Sequence, residues 1–406
     1  MVTCSVILIE YSDRLVEVLI GKLRRVRPSG VHVRPATALD FADTPFLAVW
    51  ETTRDCDLTC TYCRARDLPP SSDELTTEEG LALLNELARM GTPFCVLSGG
   101  DPAKRGDLSL LVRHGSELGI SIVTILAATR RLNKDLVSRL KSSGLVQMAL
   151  NLNGPREGIH DGFQHRGGAF LRTLLCASYA EEAGLPLQIN TMFSGDGLQH
   201  FDAMAALVNM LRPVTWEIFM LVPTGAARAA TPLAVQPFEE FLARIAELSH
   251  DVDFEIKVSE APQYCRFVMR EAATTTRGGI HDLLSTPARF DNPLDASARQ
   301  DFSRSRTVRL ARTRVDAGNG LLFISSSGDI YPSELLPLAC GNVRHDSLQR
   351  VYRDHPTFCD LRNTRRLKGK CGICEYRHIC GGSRARAYAV TGDYLAEDAM
   401  CSYQPV

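Results

Sequence analysis

Three cysteines stand within eight residues in "RDCDLTCTYCRA", at Cys56, Cys60 and Cys63, and four more lie near the end of the chain at Cys371, Cys374, Cys380 and Cys401. Spacings of three and two residues let one short loop wrap a small inorganic core while its backbone amides stay free to bond sulfide. A cubane of four irons has four corners, so three thiolates leave one iron open. An open coordination position marks a reactive metal site rather than a purely structural one. A structural zinc would ask for a fourth ligand nearby, and "RARDLPPSSDE" after Cys63 supplies neither histidine nor cysteine. The plain alternatives are a zinc knuckle completed from elsewhere in the chain, or three core cysteines. The second set, Cys371-x2-Cys374-x5-Cys380 with Cys401 some twenty residues on, has four thiolates, enough for a closed tetrahedral zinc or an iron-sulfur cluster.

These residues need a scaffold, and the chain has the length for one large domain with smaller additions: 406 residues, 45% hydrophobic and 23% charged. Six apolar runs, "FLAVWETT", "FCVLSGG", "ISIVTILAA", "LVQMALNLNG", "LPLQINTMF" and "WEIFMLVP", alternate with amphipathic segments such as Thr76 to Met90, capped by "TTEE", and Asp107 to Leu118. Continuous apolar runs separated by helices predict buried parallel strands, hence an α/β fold with a partial (β/α)6 TIM-like barrel. Reactive loops of such a barrel lie at the C-terminal ends of its strands, and the three-cysteine loop directly follows the first strand. Four parts are expected: an N-terminal extension and linker over 1–44, with one short strand and a helix capped by Ser12; the barrel over 45–251; a bridging region without clear periodicity over 252–317; and a small C-terminal domain over 318–406, opening with the hairpin-like "GLLFISSSGDIYP". A net charge of −1 gives no field to draw the chain to nucleic acid or an anionic membrane. No run approaches the ~20 apolar residues that cross a bilayer. Thirteen cysteines, clustered and odd in number, with no secretory signal ahead of them, suit a reducing cytoplasm.

The Cys56-x3-Cys60-x2-Cys63 pattern, with Tyr62 before its last cysteine, resembles the radical S-adenosylmethionine (radical SAM) superfamily. That resemblance implies a [4Fe-4S] cluster whose open iron binds S-adenosylmethionine, cleavage of the cofactor to a 5′-deoxyadenosyl radical, and hydrogen abstraction from an unactivated carbon in a sheltered site. It further implies cofactor contacts from "SGGDP" (Ser98, Gly99, Gly100, Asp101), from "NLNGP" (Asn151, Asn153), where relatives more often carry serine and aspartate before the glycine, and from Arg166 and Asn190. The C-terminal cysteines resemble the SPASM extension of these enzymes, making 318–406 an iron-sulfur domain with an auxiliary [4Fe-4S] cluster on Cys371, Cys374, Cys380 and Cys401. Ser333, Ser383 and Arg384 stand where a second auxiliary cluster would draw cysteines, so one auxiliary cluster is expected rather than two. Cys4, Cys95, Cys176, Cys340 and Cys359 read as buried small side chains.

Within the superfamily, "ETTRDCDLTCTYCRA" and "CGGSRARAYAVTGDY" look most like the branch containing the alternative-pathway haem synthase and its porphyrin-modifying relatives. This implies a tetrapyrrole substrate that loses propionate carboxyls, for which Arg304, Arg306, Arg309, Arg312 and Arg314 are candidate partners, with Arg166 nearer the barrel mouth. Tyr264 and Cys265, after the sixth strand, are candidate catalytic residues, as hydrogen or electron relays. Peptide maturation, modification of a small metabolite or antibiotic precursor, and a non-catalytic iron-sulfur or zinc-binding interaction module are the other readings. The electron donor implied by the chemistry is reduced ferredoxin or flavodoxin.

Overall fold

The six apolar runs form parallel strands: β1 (Leu47–Glu51), β2 (Phe94–Ser98), β3 (Ser121–Leu126), β4 (Gln147–Asn151), β5 (Leu187–Phe193) and β6 (Thr215–Met220), paired in chain order. The computed structural model describes residues 40–66, 68, 73–229, 233–275 and 314–405. The expected N-terminal strand and helix fall outside these residues, as do Arg304, Arg306, Arg309 and Arg312.

Each crossover is helical because its apolar residues recur on one face. In α1 (Thr77–Met90) the buried set is Gly80, Leu83, Leu84, Leu87 and Met90, the i, i+3, i+4, i+7 stripe of a helix laid on a sheet. Thr76 accepts from the Glu79 amide while Glu79 reaches back to the Thr76 amide, closing a capping box. Gly91 ends the helix in the left-handed region, at φ 80°. The helix lies so close to β1 that a Cβ on Gly80 would stand 2.5 Å from the Trp50 ring. The remaining crossover helices are α2 (Leu108–Glu117), α3 (Lys134–Ser142), α4 (Glu157–Gln164), α5 (Ala169–Glu182), α6 (Phe201–Leu211) and α7 (Val235–Leu248). Trp50, Leu97, Trp216, Phe238 and Phe241 are fully buried in the core between sheet and helices, each contributing roughly 1.5–3 kcal/mol on the usual scale for buried large apolar side chains.

Among the described residues, the stretch read as irregular holds regular elements. β7 (Glu255–Ser259) extends the parallel sheet beside β6, and α8 (Tyr264–Thr275) follows it. The hairpin is present as β9 (Gly320–Ile324) and β10 (Asp329–Tyr331), with β8 (Asp316–Ala317) and β11 (Gly341–Asn342) beside them. It also continues the barrel sheet, since β9 pairs in parallel with β1, Leu47 opposite Leu321. The sheet therefore runs β11-β10-β9-β1-β2-β3-β4-β5-β6-β7 and ends on β7 at one side, a partial barrel. After it come α9 (Leu348–Asp354), α10 (Pro356–Arg362), α11 (Gly369–Ile373) and α12 (Arg384–Thr391). Cys95 and Cys176 are fully buried and Cys340 is buried, as expected. Cys359 is not: it is exposed on α10, its thiol turned to the Arg353 carbonyl at 3.3 Å, because the apolar residues around it in sequence face the other side of that short helix.

Candidate active site

Cys56, Cys60 and Cys63 lie in the loop after β1, and the end of β2 holds that loop. Thr52 N donates to Ser98 O (2.8 Å), Gly100 N to Thr53 O (2.7 Å) and Asp101 N to Asp55 O (2.8 Å), so the pairing of the two strands continues past their formal ends. Only glycine permits this approach: Gly99 has φ +134°, and a Cβ there would lie 2.3 Å from Thr53 O, while one on Gly100 would lie 2.4 Å from Asp55 O. Lys104 bridges Asp55 and Asp57 at 2.6 Å each. On the inner side buried Glu51 accepts from Arg54 (3.3 Å) and from the Ser326 amide (3.1 Å) and pairs with Arg64, whose guanidinium lies 4.6 Å from the Phe323 ring. On the far side Thr61 N donates to Phe163 O (2.9 Å), Tyr62 OH donates to Ser194 Oγ (2.9 Å), and Arg166 donates to Asp57 O (3.1 Å).

The Leu58 amide donates to Cys56 Sγ at 3.4 Å, the kind of backbone contact that steadies a thiolate ligand. Burial pushes the thiols of Cys56 and Cys60 up, to about 11 and about 12, and their cysteine neighbours add to the rise. Thiols such as those of Cys56 and Cys60, which resist ionisation in a desolvated loop, suit a positive metal core, which reverses that balance by drawing off their protons.

The other proposed cofactor residues gather at the same end of the barrel. Asn151 is exposed at the end of β4, directly opposite Asn190 on β5. Asn190 is buried and accepts from Gln188 (2.7 Å). Asn153 accepts from Met192 N (2.8 Å) and donates its own amide to His160 Nδ1 (3.0 Å). Asp101 spends both carboxylate oxygens on the protein, one on the Ala103 amide (3.1 Å) and one on Thr129 Oγ1 (2.8 Å), and burial pushes its pKa up.

A second group forms where α8 meets the C-terminal segment. Cys371, Cys374, Cys380 and Cys401 line one small cavity. Burial raises the thiols of Cys371, Cys374 and Cys401, the latter two to about 12 and about 11. The Cys380 thiol is driven well above its ordinary range, first by a hydrogen bond with the Cys265 thiol and then by burial. Behind this cavity, buried Asp398 accepts from Arg386 (3.1 Å), Gln263 (2.7 Å) and the Ser383 amide (2.8 Å). Arg384 is buried and donates to the carbonyls of Gly382, Tyr394 and Ala396.

The barrel strands also line a chamber of about 490 Å³. Apolar side chains such as Val49, Val96 and Phe219 wall it, and a polar ladder crosses it. Gln147 donates to Gln188 (2.8 Å), Gln188 to Glu217 (2.8 Å), and Glu217 pairs with Lys257 (2.7 Å). Burial alone would lower the Lys257 ammonium, but Glu217 beside it outweighs this and holds it above the usual range. Its side chain is half-exposed, and that exposure opens onto the chamber. Burial pushes the Glu334 carboxyl in the same wall up to about 6. Tyr264 and Cys265 both line the chamber. Arg314 does too, already paired with Asp316 (2.6 Å) and bonded to Leu361 O (3.1 Å). Lys104, Ser194 and the Gln147-to-Lys257 ladder were not picked out from the sequence. For the ladder the only signal there is a polar residue inside an apolar strand; Lys104 and Ser194 lie in the turns that follow β2 and β5 and carry none.

Residues 50–208 match the family model of the radical SAM superfamily. The AdoMet-dependent heme synthase of Nitratidesulfovibrio vulgaris is 33% identical over 374 residues, covering 91% of this chain and 96% of that protein. The chain belongs to the radical SAM superfamily. It is therefore an enzyme of radical chemistry that works with a [4Fe-4S] cluster and S-adenosylmethionine. The PqqA peptide cyclase of Bradyrhizobium diazoefficiens is a more distant relative, 26% identical, with 89% of this chain and 87% of that one covered. Streptococcus suis SuiB, solved bound to S-adenosylmethionine, shares the fold of this radical SAM chain at TM-score 0.65 and 16% identity, over 89% of this chain and 78% of its own. No helix among the described residues is long and apolar enough to cross a membrane.

Proposed function

We propose that this radical SAM enzyme removes carboxyl groups from the propionates of an iron tetrapyrrole. Cys56, Cys60 and Cys63 hold the catalytic cluster, with Tyr62, Ser98, Gly99, Gly100, Asp101, Asn151, Asn153, Arg166 and Asn190 as the surrounding cofactor shell. Cys371, Cys374, Cys380 and Cys401 hold one auxiliary [4Fe-4S] cluster. The observation that carries the substrate is the 33% identity to a heme synthase along nearly the whole length of both chains. A chamber of about 490 Å³ with apolar walls and few polar groups has the character of a small-molecule site, and Lys257 presents an ammonium to a carboxylate there.

Bound S-adenosylmethionine and the cluster supply a carbon-centred radical once reduced ferredoxin or flavodoxin provides an electron. Transfer of a hydrogen atom from the propionate carbon next to the ring to that radical, then loss of carbon dioxide and of one electron to an external one-electron acceptor, would convert the propionate to a vinyl group. The chain's part is to hold the propionate against Lys257 and to exclude water behind Val49, Val96 and Phe219. For the auxiliary site, a cluster is favoured over a single zinc. The likeness of this segment to the SPASM extension supports the cluster, and its four thiols share one small cavity. All described cysteines are free thiols, as the reducing cytoplasm we infer for this enzyme would keep them.

Anaerobic enzyme given S-adenosylmethionine, reductant and an iron coproporphyrin should form 5′-deoxyadenosine together with carbon dioxide and a porphyrin of lower mass. Unchanged porphyrin under conditions where S-adenosylmethionine is cleaved would refute the substrate. The similarity to a peptide cyclase makes a peptide the reading to turn to in that case.

A further inference from the structure

Gln188 and Asn190 stand two residues apart on β5 and so share one face of the strand. The Gln188 amide is used three ways. Its Nε2 donates to Asn190 Oδ1 (2.7 Å) and to Glu217 Oε2 (2.8 Å), and its Oε1 accepts from Gln147 Nε2 (2.8 Å). The other oxygen of Glu217, Oε1, accepts from Ser259 Oγ (2.5 Å) and from the Lys257 ammonium (2.7 Å). One unbroken run of side chains therefore joins Lys257, in the chamber wall, to Asn190, which pairs with Asn151 in the proposed cofactor shell. Among the described residues the Asn190 Nδ2 group donates to no protein atom, so its two N–H bonds remain for a ligand.

We propose that Glu217 and Gln188 are positioning residues for the cofactor: the carboxylate held by Lys257 fixes which way the Gln188 amide lies, and Gln188 in turn makes Asn190 present N–H rather than oxygen to S-adenosylmethionine. The inference rests on the reading of Asn190 as part of the cofactor shell. Its physical basis is the difference between the two ends of an amide. An Asn or Gln side chain can turn over with almost no change of shape, and only its bonding partners decide which end is donor and which acceptor. Here that decision starts from a charge. The Lys257 ammonium only donates and the Glu217 carboxylate only accepts, so the Gln188 group facing Glu217 must be its NH2. That same NH2 reaches Asn190, which must answer with its oxygen and turn its own NH2 away. Gln147 closes the other end of Gln188 by donating to its oxygen. Asn190 and Glu217 lie directly opposite each other on β5 and β6, so the pleat itself sets the spacing that Gln188 bridges. The ion pair that faces the substrate thus also orients a donor towards the cofactor, and both are held in one bonded run of side chains.

The test uses the full chain, reconstituted anaerobically, with S-adenosylmethionine binding measured by isothermal titration calorimetry without reductant or substrate. Glu217→Gln keeps the shape of the ladder and reverses its direction. The new amide must keep its oxygen on the Lys257 ammonium, so its NH2 meets Gln188, which turns over and takes Asn190 with it. Affinity should fall about fivefold, the worth of one oriented hydrogen bond, with iron per chain unchanged. Asn190→Ala, which removes the donor, should weaken binding by a similar factor, and E217Q added to N190A should cost nothing further. Parental affinity in E217Q beside a weakened N190A would overturn the proposal. So would losses in the two single variants that simply add in the double, because Glu217 would then act by another route. Parental affinity in N190A would instead overturn the cofactor-shell reading of Asn190, and the relay with it. Gln188→Met, which keeps the ion pair and removes the link, carries the same test where E217Q does not fold: it should weaken binding in the parent and leave N190A unchanged, and parental affinity would again overturn the proposal.

Discussion

Replacing Gly99 with alanine should detach the three-cysteine loop from the sheet. Gly99 sits at φ +134°, outside the left-handed helical region that other residues sometimes visit, and holding a side chain there costs about 1–3 kcal/mol. The new Cβ would meet Thr53 O at 2.3 Å and Thr53 N at 3.1 Å, so the loop must retreat by roughly 1 Å to reach ordinary contact. That displacement falls on the bonds that dock it, Thr52 N to Ser98 O at 2.8 Å and Gly100 N to Thr53 O at 2.7 Å. Losing both adds about 2 kcal/mol, for a total of about 3–5 kcal/mol. Urea unfolding measures the first consequence. Iron per chain after anaerobic reconstitution measures the second, which should fall from about eight towards about four as the first cluster is lost and the auxiliary one kept. Gly106→Ala is the control, since a Cβ there meets nothing within 4 Å, and it should change stability by less than about 0.5 kcal/mol. A G99A protein with the parent urea midpoint and full iron would refute the reasoning, because the glycine would then not be what seats the loop.

The buried imidazole of His160 should make the protein acid-sensitive. Burial holds its pKa down at about 4, below the ~6.5 of an unfolded histidine, so it folds neutral, accepting from Asn153 N and facing Thr173 Oγ1 at 3.3 Å. Its contribution is complete above pH ~6.5 and is lost as pH falls towards 4, by about 3 kcal/mol in all. The difference between wild-type and H160Q urea stabilities should shrink accordingly across that window, and parallel curves would contradict it. Asp398→Asn removes the counter-ion of buried Arg386, which should cost about 3–5 kcal/mol; a loss under about 1 kcal/mol in urea unfolding would show that the pair is not what anchors the cysteine cavity.

Much of the scaffold could be read because buried parallel strands leave a plain trace: β1 to β6 are largely apolar runs, and most of their residues are buried. β7 escaped because "DFEIKVS" has Phe254, Ile256 and Val258 alternating with Glu255 and Lys257, and Lys257 is polar for a reason that only the closed chamber reveals. β9 was seen as half of a hairpin. Its parallel partner, β1, lies at the other end of the chain, and no local pattern encodes such a pairing.

The two proposed metal sites differ in the same way. The first is local: three cysteines, the residues between them and one glycine pair make the loop and its dock, so the chemistry can be read from contiguous letters. The second is assembled from α8, the 371–380 segment and Cys401. The four proposed ligands could be listed from spacing, but the cavity they share could not, since it forms only when Cys401 and the 371–380 segment pack together. The same packing explains why the arginine at 314 does not serve as the free anion partner its sequence neighbourhood suggested. Burial without a counter-ion would be too costly, so it binds Asp316 and Leu361, and Lys257, on a strand that periodicity did not find, holds the ammonium that faces the chamber.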